Sequence, residues 1–170
     1  MQKTTVKYNI IKILAFTLIF FLNQTLANKI ELFNVAPNLI FVTVLCASLT
    51  ENDSANIYYA LAYGLLFDFF NSKILFIHGI MFLLIAFVLS EIYHSFFENM
   101  TMVKGLFAIT GCFAYSFLFA VFFGLRGADF LRILANISIV EFIYNSLFSI
   151  LGIFLYKKIL NIRPTAWRVR

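Results

Sequence analysis

Four side chains in the 170-residue sequence could do acid–base or metal chemistry from within apolar stretches: Asp68, His78, Glu91 and Glu141. A carboxylate beside an imidazole can serve as a general acid or base, and three such ligands could hold a metal. Each is expensive where it stands, because an ionisable group at membrane depth costs about 3 kcal/mol on insertion scales, so each is a functional candidate by default. Glu91 and His94 stand one turn apart, but two ligands fall short of a zinc site and read as an interfacial pair. Cys46 and Cys112 lie inside apolar runs, in no metal-type spacing, and read as small packing residues. The sequence has no Ser/His/Asp order on a nucleophile elbow, no phosphate-cradling glycine loop and no His-Glu-x-x-His. It also has no arginine cluster inside an apolar run. Catalysis has no visible apparatus, and no metal or cofactor is expected.

Helical spacing gives these groups a different meaning. Ala60, Gly64 and Asp68 recur every fourth residue, which stacks two small residues and a carboxylate on one face where a neighbouring helix can come close. Asp68 falls near the end of its run, so it either snorkels to water or caps the short joint beyond. Ser138, Glu141, Asn145, Ser149 and Gly152 follow steps of three, four, four and three, a polar stripe that must face protein or a wet cavity. Glu141 is nearly mid-run, so its carboxyl either keeps its proton or finds a partner on another helix. His78 precedes Gly79 and reads as an interface residue beside a close contact. Gly105, Ala108, Cys112 and Tyr115 form a further small-residue face. Asn23, Gln24 and Asn28 gather toward the end of the first run.

These faces need helices to carry them, and composition says in what solvent. Of the 170 residues 62% are hydrophobic and 12% charged, with 13 Lys or Arg and 8 Asp or Glu, against roughly half apolar and a quarter charged in a soluble domain. A chain this short cannot hide such an excess from water. The apolar residues come in unbroken runs, not in the alternation of an outer-membrane barrel. At about 20 residues per span they suffice for five or six helices and leave no soluble domain. The expected fold is an all-α integral membrane protein, a single domain of six transmembrane helices over about 8–27, 35–50, 57–70, 74–93, 102–125 and 130–156. The second and third runs are short. They tilt little, extend into the 51–56 joint, or form a re-entrant pair, and two full crossings are favoured.

Charge sets the orientation. Lys3, Lys7 and Lys12 precede the first run and Lys157, Lys158, Arg163, Arg168 and Arg170 follow the last, so 8 of the 13 cations are terminal. Both termini are therefore expected in the cytoplasm, which needs an even number of spans. With six, Lys104 joins the inner side while Lys29, Lys73, Arg126 and Arg132 fall outside, a count of 9 against 4. The net charge of +5 then reads as topology and attraction to an anionic leaflet, not as a nucleic-acid surface. A cleavable secretory signal ending at Thr25, Leu26 and Ala27 is the rival reading of the start, but its apolar run is too long and its loss would leave an odd count. Four Asn-x-Ser/Thr tripeptides, at Asn23, Asn52, Asn99 and Asn136, fit a glycosylation pattern by chance, two of them in or against lipid-depth segments.

The segments together resemble the family of rod shape-determining MreD proteins of the bacterial inner membrane. The resemblance rests on Pro37, Asn38 and Leu39 opening the second span, on Gly64, Leu65, Leu66, Phe67 and Asp68 in the third, on Gly79 opening the fourth, and on Tyr144 and Asn145 in the last. Many members carry Asp where this chain has Asn38. The resemblance implies a non-enzymatic component of the cell-elongation machinery that binds the scaffold protein MreC. Through it such proteins join MreB filaments, RodA and a class B penicillin-binding protein in lateral peptidoglycan synthesis. It also implies a fold similar to the substrate-binding components of energy-coupling-factor vitamin transporters, and membership of such a transporter is the alternative function. An intramembrane lipid-processing enzyme would require Asp68, Glu141 and a histidine to converge, which no local spacing demonstrates.

Helix-packing or partner-binding roles are thus expected for Pro37, Asn38, Gly64, Asp68, Gly79, Glu141 and Asn145. Replacing Gly64 or Asn145 by Leu is expected to weaken co-purification with the scaffold; an unchanged yield together with unchanged rod shape would overturn this.

Overall fold

Six apolar runs become six helical rods in the computed structural model, which describes residues 2–26, 29–31, 33, 35–71, 76–97 and 100–160. They are α1 (Gln2–Leu26), α2 (Leu39–Thr50), α3 (Ala55–Asn71), α4 (Ile77–Phe96), α5 (Thr101–Leu125), and a last rod over 130–160. That rod comprises α6 (Phe130–Ile133), a π turn (Leu134–Ser138) and α7 (Ile139–Leu160). Asn28, Lys73, Glu98, Asn99, Arg163, Arg168 and Arg170 lie outside the described residues, as do the side chains of Lys3, Lys7 and Lys157.

Among the described residues four stretches are long and apolar enough to cross a membrane: 8–25 of α1, 77–96, 102–125 and 130–156. The second and third rods are not among the four, so of the six full crossings expected from the sequence these two are not matched by helix length and composition. α2 has 12 residues, about 18 Å of helix against a hydrocarbon core of about 30 Å. Its approach is extended. Pro37 fixes its own φ and disfavours a helical Ala36, and Asn38 caps the first turn by accepting from the Phe41 amide at 3.0 Å.

The short helix is the centre of the bundle. α1, α3, α4, α5 and α7 all pack on α2, and every residue from Ile40 to Leu49 is buried. Phe41 stacks on Tyr115 of α5 with ring centroids 4.4 Å apart, and Phe82 of α4 closes on it at 5.2 Å. The polarity of the whole is inverted relative to a soluble fold. Leu14 and Phe154 are 63% and 67% exposed, while Asp68, Asn145 and Ser149 are 0% exposed. Apolar side chains outside and polar ones inside are what a lipid solvent selects, since it rewards hiding hydrogen-bonding groups rather than hydrocarbon.

The tightest helix contact joins α3 to α4. A Cβ on Gly64 would stand 2.6 Å from the Gly79 Cα and 2.9 Å from the His78 carbonyl oxygen, both backbone atoms that cannot swing aside. A Cβ on Gly79 would press chiefly on the Leu65 side chain, 2.8 Å from Cδ2 and 3.1 Å from Cγ, with the Leu65 backbone nitrogen at an ordinary 3.4 Å. Gly64→Ala gains about 1 kcal/mol of helix propensity but forces the two backbones apart at a cost of about 3 kcal/mol. The net loss of about 2 kcal/mol lowers Tm in detergent by about 5 °C, and Gly79→Ala, whose neighbour can rotate, costs less. An equal Tm for the two variants and the parent would refute this ranking.

Candidate functional site

Most of the residues singled out in sequence gather into one buried polar seam; Glu91 does not, standing exposed on α4 one turn from His94. Asp68 does not reach water. Its carboxylate, fully buried near the C-terminal end of α3, accepts from the His78 amide through Oδ1 and the Gly79 amide through Oδ2, each at 3.2 Å. The His78 ring joins through Nδ1, 2.5 Å from Oδ1. Amides in the first turn of a helix have no partner within it, so Asp68 supplies the cap that α4 lacks locally. Phe76, at the cap position, has a left-handed φ of 76° and offers no side-chain bond. Of the two bland readings of Asp68, the joint-capping one describes it.

Asn38 is the second node. Besides capping α2, its own amide donates to Asn145 Oδ1 at 2.8 Å, and its Nδ2 donates to the Tyr115 hydroxyl at 3.1 Å. Beside it the Leu39 amide donates to Asn23 Oδ1 of α1, also at 2.8 Å. The Glu141 carboxyl, buried one turn from Asn145, faces the Tyr115 hydroxyl. Tyr115 therefore links the α2 cap to the only carboxylate near the middle of the last rod.

The stripe on the last rod faces inward along its length. Ser138, Glu141, Asn145 and Ser149 are all buried. Cys112 Sγ lies 3.3 Å from Ser149 Oγ, and Cys46 Sγ donates to the Ser149 carbonyl at 3.4 Å. Gly152 leaves room for the same sulfur, which a Cβ there would approach to 2.9 Å. Both cysteines thus pack on the stripe. Ala108, Cys112 and Tyr115 of the small face on α5 are buried too, whereas Gly105 has open space before it. Gly111, which sequence spacing did not single out, is the one pressed against Leu45 and Leu89.

A second polar cluster at the other end of α2 went unread in sequence. Lys12, counted there among the topology-setting cations, is 1% exposed. Its ammonium donates to Glu51 Oε2 at 2.6 Å and to Asn56 Oδ1 at 2.5 Å. Glu51 Oε1 accepts from Tyr8, and from Tyr156 of α7 at 2.9 Å. Asn56 Nδ2 donates to the carbonyls of Glu51 and Ala47, and His94 Nε2 lies 2.9 Å from the Ser48 carbonyl. The charge rule treats a lysine near a span start as a loop residue, and partners some 40 positions away leave no periodic signal. The tyrosines were the available hint, since they need a polar partner when buried.

These contacts join helices, and those at the C-terminal end of α2 also border a cavity of about 170 Å³ whose lining includes Ser48, Glu51, Asp53, Asn56, Glu91 and His94. Among the described residues no group of three or more His, Cys, Asp or Glu side chains could hold a metal ion. Asp68, His78 and Glu141 share the seam, but Asp68 and His78 are committed to the start of α4. The arrangement defines a multi-pass helical membrane protein whose polar groups serve packing. Over residues 4–161 the sequence matches the family model described as rod shape-determining protein MreD, and the chain belongs to that family. It is a rod-shape-determining membrane component, in a family of structural proteins rather than known enzymes. No curated protein and no solved structure matches it. The likeness to vitamin-transporter components therefore rests on the sequence resemblance alone.

Breaking a buried ion pair by removing one partner leaves the other charge uncompensated, a loss of about 3 kcal/mol. Lys12→Met should lower stability in detergent by that amount, and Lys12→Met/Glu51→Gln should recover at least half of it. Strictly additive losses in the double variant would show that the two groups share no energy.

Proposed function

We propose that this chain is a non-enzymatic component of the bacterial cell-elongation machinery in the inner membrane, with both termini cytoplasmic. In this reading it binds the scaffold protein MreC and through it joins MreB, RodA and a class B penicillin-binding protein, helping to organise lateral peptidoglycan synthesis. The observation that carries the reading is the family match over nearly the whole chain. The geometry supports it in a particular way. Most candidate polar side chains are spent on holding the bundle together, while large apolar side chains are exposed on its outside, as on α1, where Leu14, Leu18 and Phe21 are exposed. Such a molecule acts by presenting a shaped surface to other helices, because in lipid close packing and a few hydrogen bonds drive association.

The Gly64 face and the stripe from Glu141 to Gly152 are occupied within the bundle, so substitutions there act on a partner only through the fold. Lys104, over the Tyr93 ring, and Lys158, two residues after the Tyr156 that donates to Glu51, lie toward the end of the bundle that holds the Lys12 cluster, which fits this orientation. Depleting the protein in its host should convert rods to spheres, and a tagged copy should recover MreC from detergent-solubilised membranes. Rods that persist after depletion, with no MreC recovered, would overturn the assignment.

A further inference from the structure

The last rod opens with a π turn, five residues in which one extra position is accommodated per turn, so the backbone bulges; such turns are frequent at functional sites. Beside this turn, between the rod and α5, lies a cleft of about 250 Å³ lined by Phe113, Ser116, Phe117, Ser138, Phe142 and their neighbours. Aromatic contacts bridge the two rods around it, Phe113 to Phe142 at 5.9 Å and Phe117 to Phe130 at 6.5 Å. Phe113, Phe117, Ile139 and Ile143 are all exposed, so the mouth opens on the lipid-facing surface.

The lining is apolar, but two hydroxyls lie immediately beneath it. Ser116 and Ser138 are 2% and 1% exposed, and neither Oγ has a hydrogen-bond partner. Ser116 is nine residues from the end of α5 and Ser138 eight residues into the last rod, so both sit about 12 to 14 Å below the α5–α6 turn. That is close to the middle of a hydrocarbon layer about 30 Å thick. Lipid offers no donor or acceptor at such a depth. A second helix does, through a side chain, and rotation about the serine χ1 angles would bring the hydroxyls to meet it. Size agrees, since a cavity of about 150 Å³ holds a benzene ring, and this cleft has room for one large side chain with a polar tip.

We propose that the cleft between α5 and the π turn receives a hydroxyl- or amide-bearing side chain from a transmembrane helix of a partner protein. Resting on the reading above, that partner is the scaffold, and the cleft is its docking point on this chain. The depth of the two serines selects a helix over a lipid chain, and the commitment of the other polar faces to the bundle selects this surface over those.

The test is recovery of co-expressed scaffold on the tagged full-length chain from detergent-solubilised membranes, read beside the Tm of the chain alone. Ser116→Leu/Ser138→Leu fills the cleft and removes two unpartnered hydroxyls, so Tm should hold or rise while scaffold recovery falls at least tenfold. Ser116→Ala/Ser138→Ala keeps the cleft and should still reduce recovery by about fivefold, the worth of two weak interhelical hydrogen bonds. Ile143→Cys at the rim should cross-link to a cysteine placed in the scaffold helix. Full recovery with both double variants, while the parent chain binds scaffold, would overturn the docking point and leave the proposed function standing. Failure of the parent to bind scaffold would overturn both. Cross-linking of Ile143→Cys to a second copy of this chain instead would assign the cleft to self-association and overturn the proposal.

Discussion

A short helix buried on every side in a membrane protein cannot leave its ends to water, and this constraint organises the molecule. The first amides and last carbonyls of any helix have no partner within it, and in lipid each unmet group costs several kcal/mol. α2 is too short to carry its ends to the membrane surfaces. Its neighbours therefore come to it. At the N-terminal end Asn23 of α1 takes the Leu39 amide, Asn145 of α7 takes that of Asn38, and Asn38 itself takes that of Phe41. At the C-terminal end Asn56 of α3 serves the Ala47 carbonyl and His94 of α4 lies against that of Ser48. Tyr115 of α5 completes the set by accepting from Asn38. Every helix in contact with α2 sends at least one polar side chain to an end of it, so satisfying α2 and assembling the bundle are one process.

The attachment of α1 shows the same logic at its barest. Its outward face is exposed apolar surface, and hydrophobic burial drives little in lipid. Phe16 packs inward on Tyr59 and Tyr63, and a row of polar contacts fixes the register: Lys12 and Tyr8 to Glu51, Thr17 to Tyr63 at 3.0 Å, and Asn23 to the start of α2. Residues 12 and 23 are eleven positions apart on α1, and their partners 51 and 39 are twelve apart across α2, so an antiparallel pair of helices is held at both ends by matching rulers.

What could be read in the sequence was whatever repeats on a helix. The stripe from Ser138 to Gly152 and the triplet Ala60, Gly64, Asp68 are local periodicities, and each lands on a buried contact. The six runs were legible for the same reason, although the second run contains an extended approach over 35–38 before its helix begins. The central position of α2 was not. An all-apolar helix marks burial in water, but in lipid the same composition marks mere insertion, and the two signals coincide. The Lys12, Glu51 and Asn56 cluster was hidden differently, because its members come from opposite ends of separate runs and each had an adequate explanation alone.

Asn38 illustrates how a node can vary without losing its function. The family resemblance leads one to expect Asp at this position. Either residue caps α2, since the bond to the Phe41 amide needs only a side-chain oxygen. They differ at the other atom. Asn donates through Nδ2 to Tyr115, which leaves that hydroxyl's own proton directed away from residue 38 and toward the Glu141 carboxyl it faces. An Asp would have to accept from Tyr115 instead, and one hydroxyl proton would then stand between two carboxyls. A chain that carries Glu141 across from the cap is therefore better served by the amide. The amide at 38 and the carboxyl at 141 are two parts of a single hydrogen-bonding arrangement.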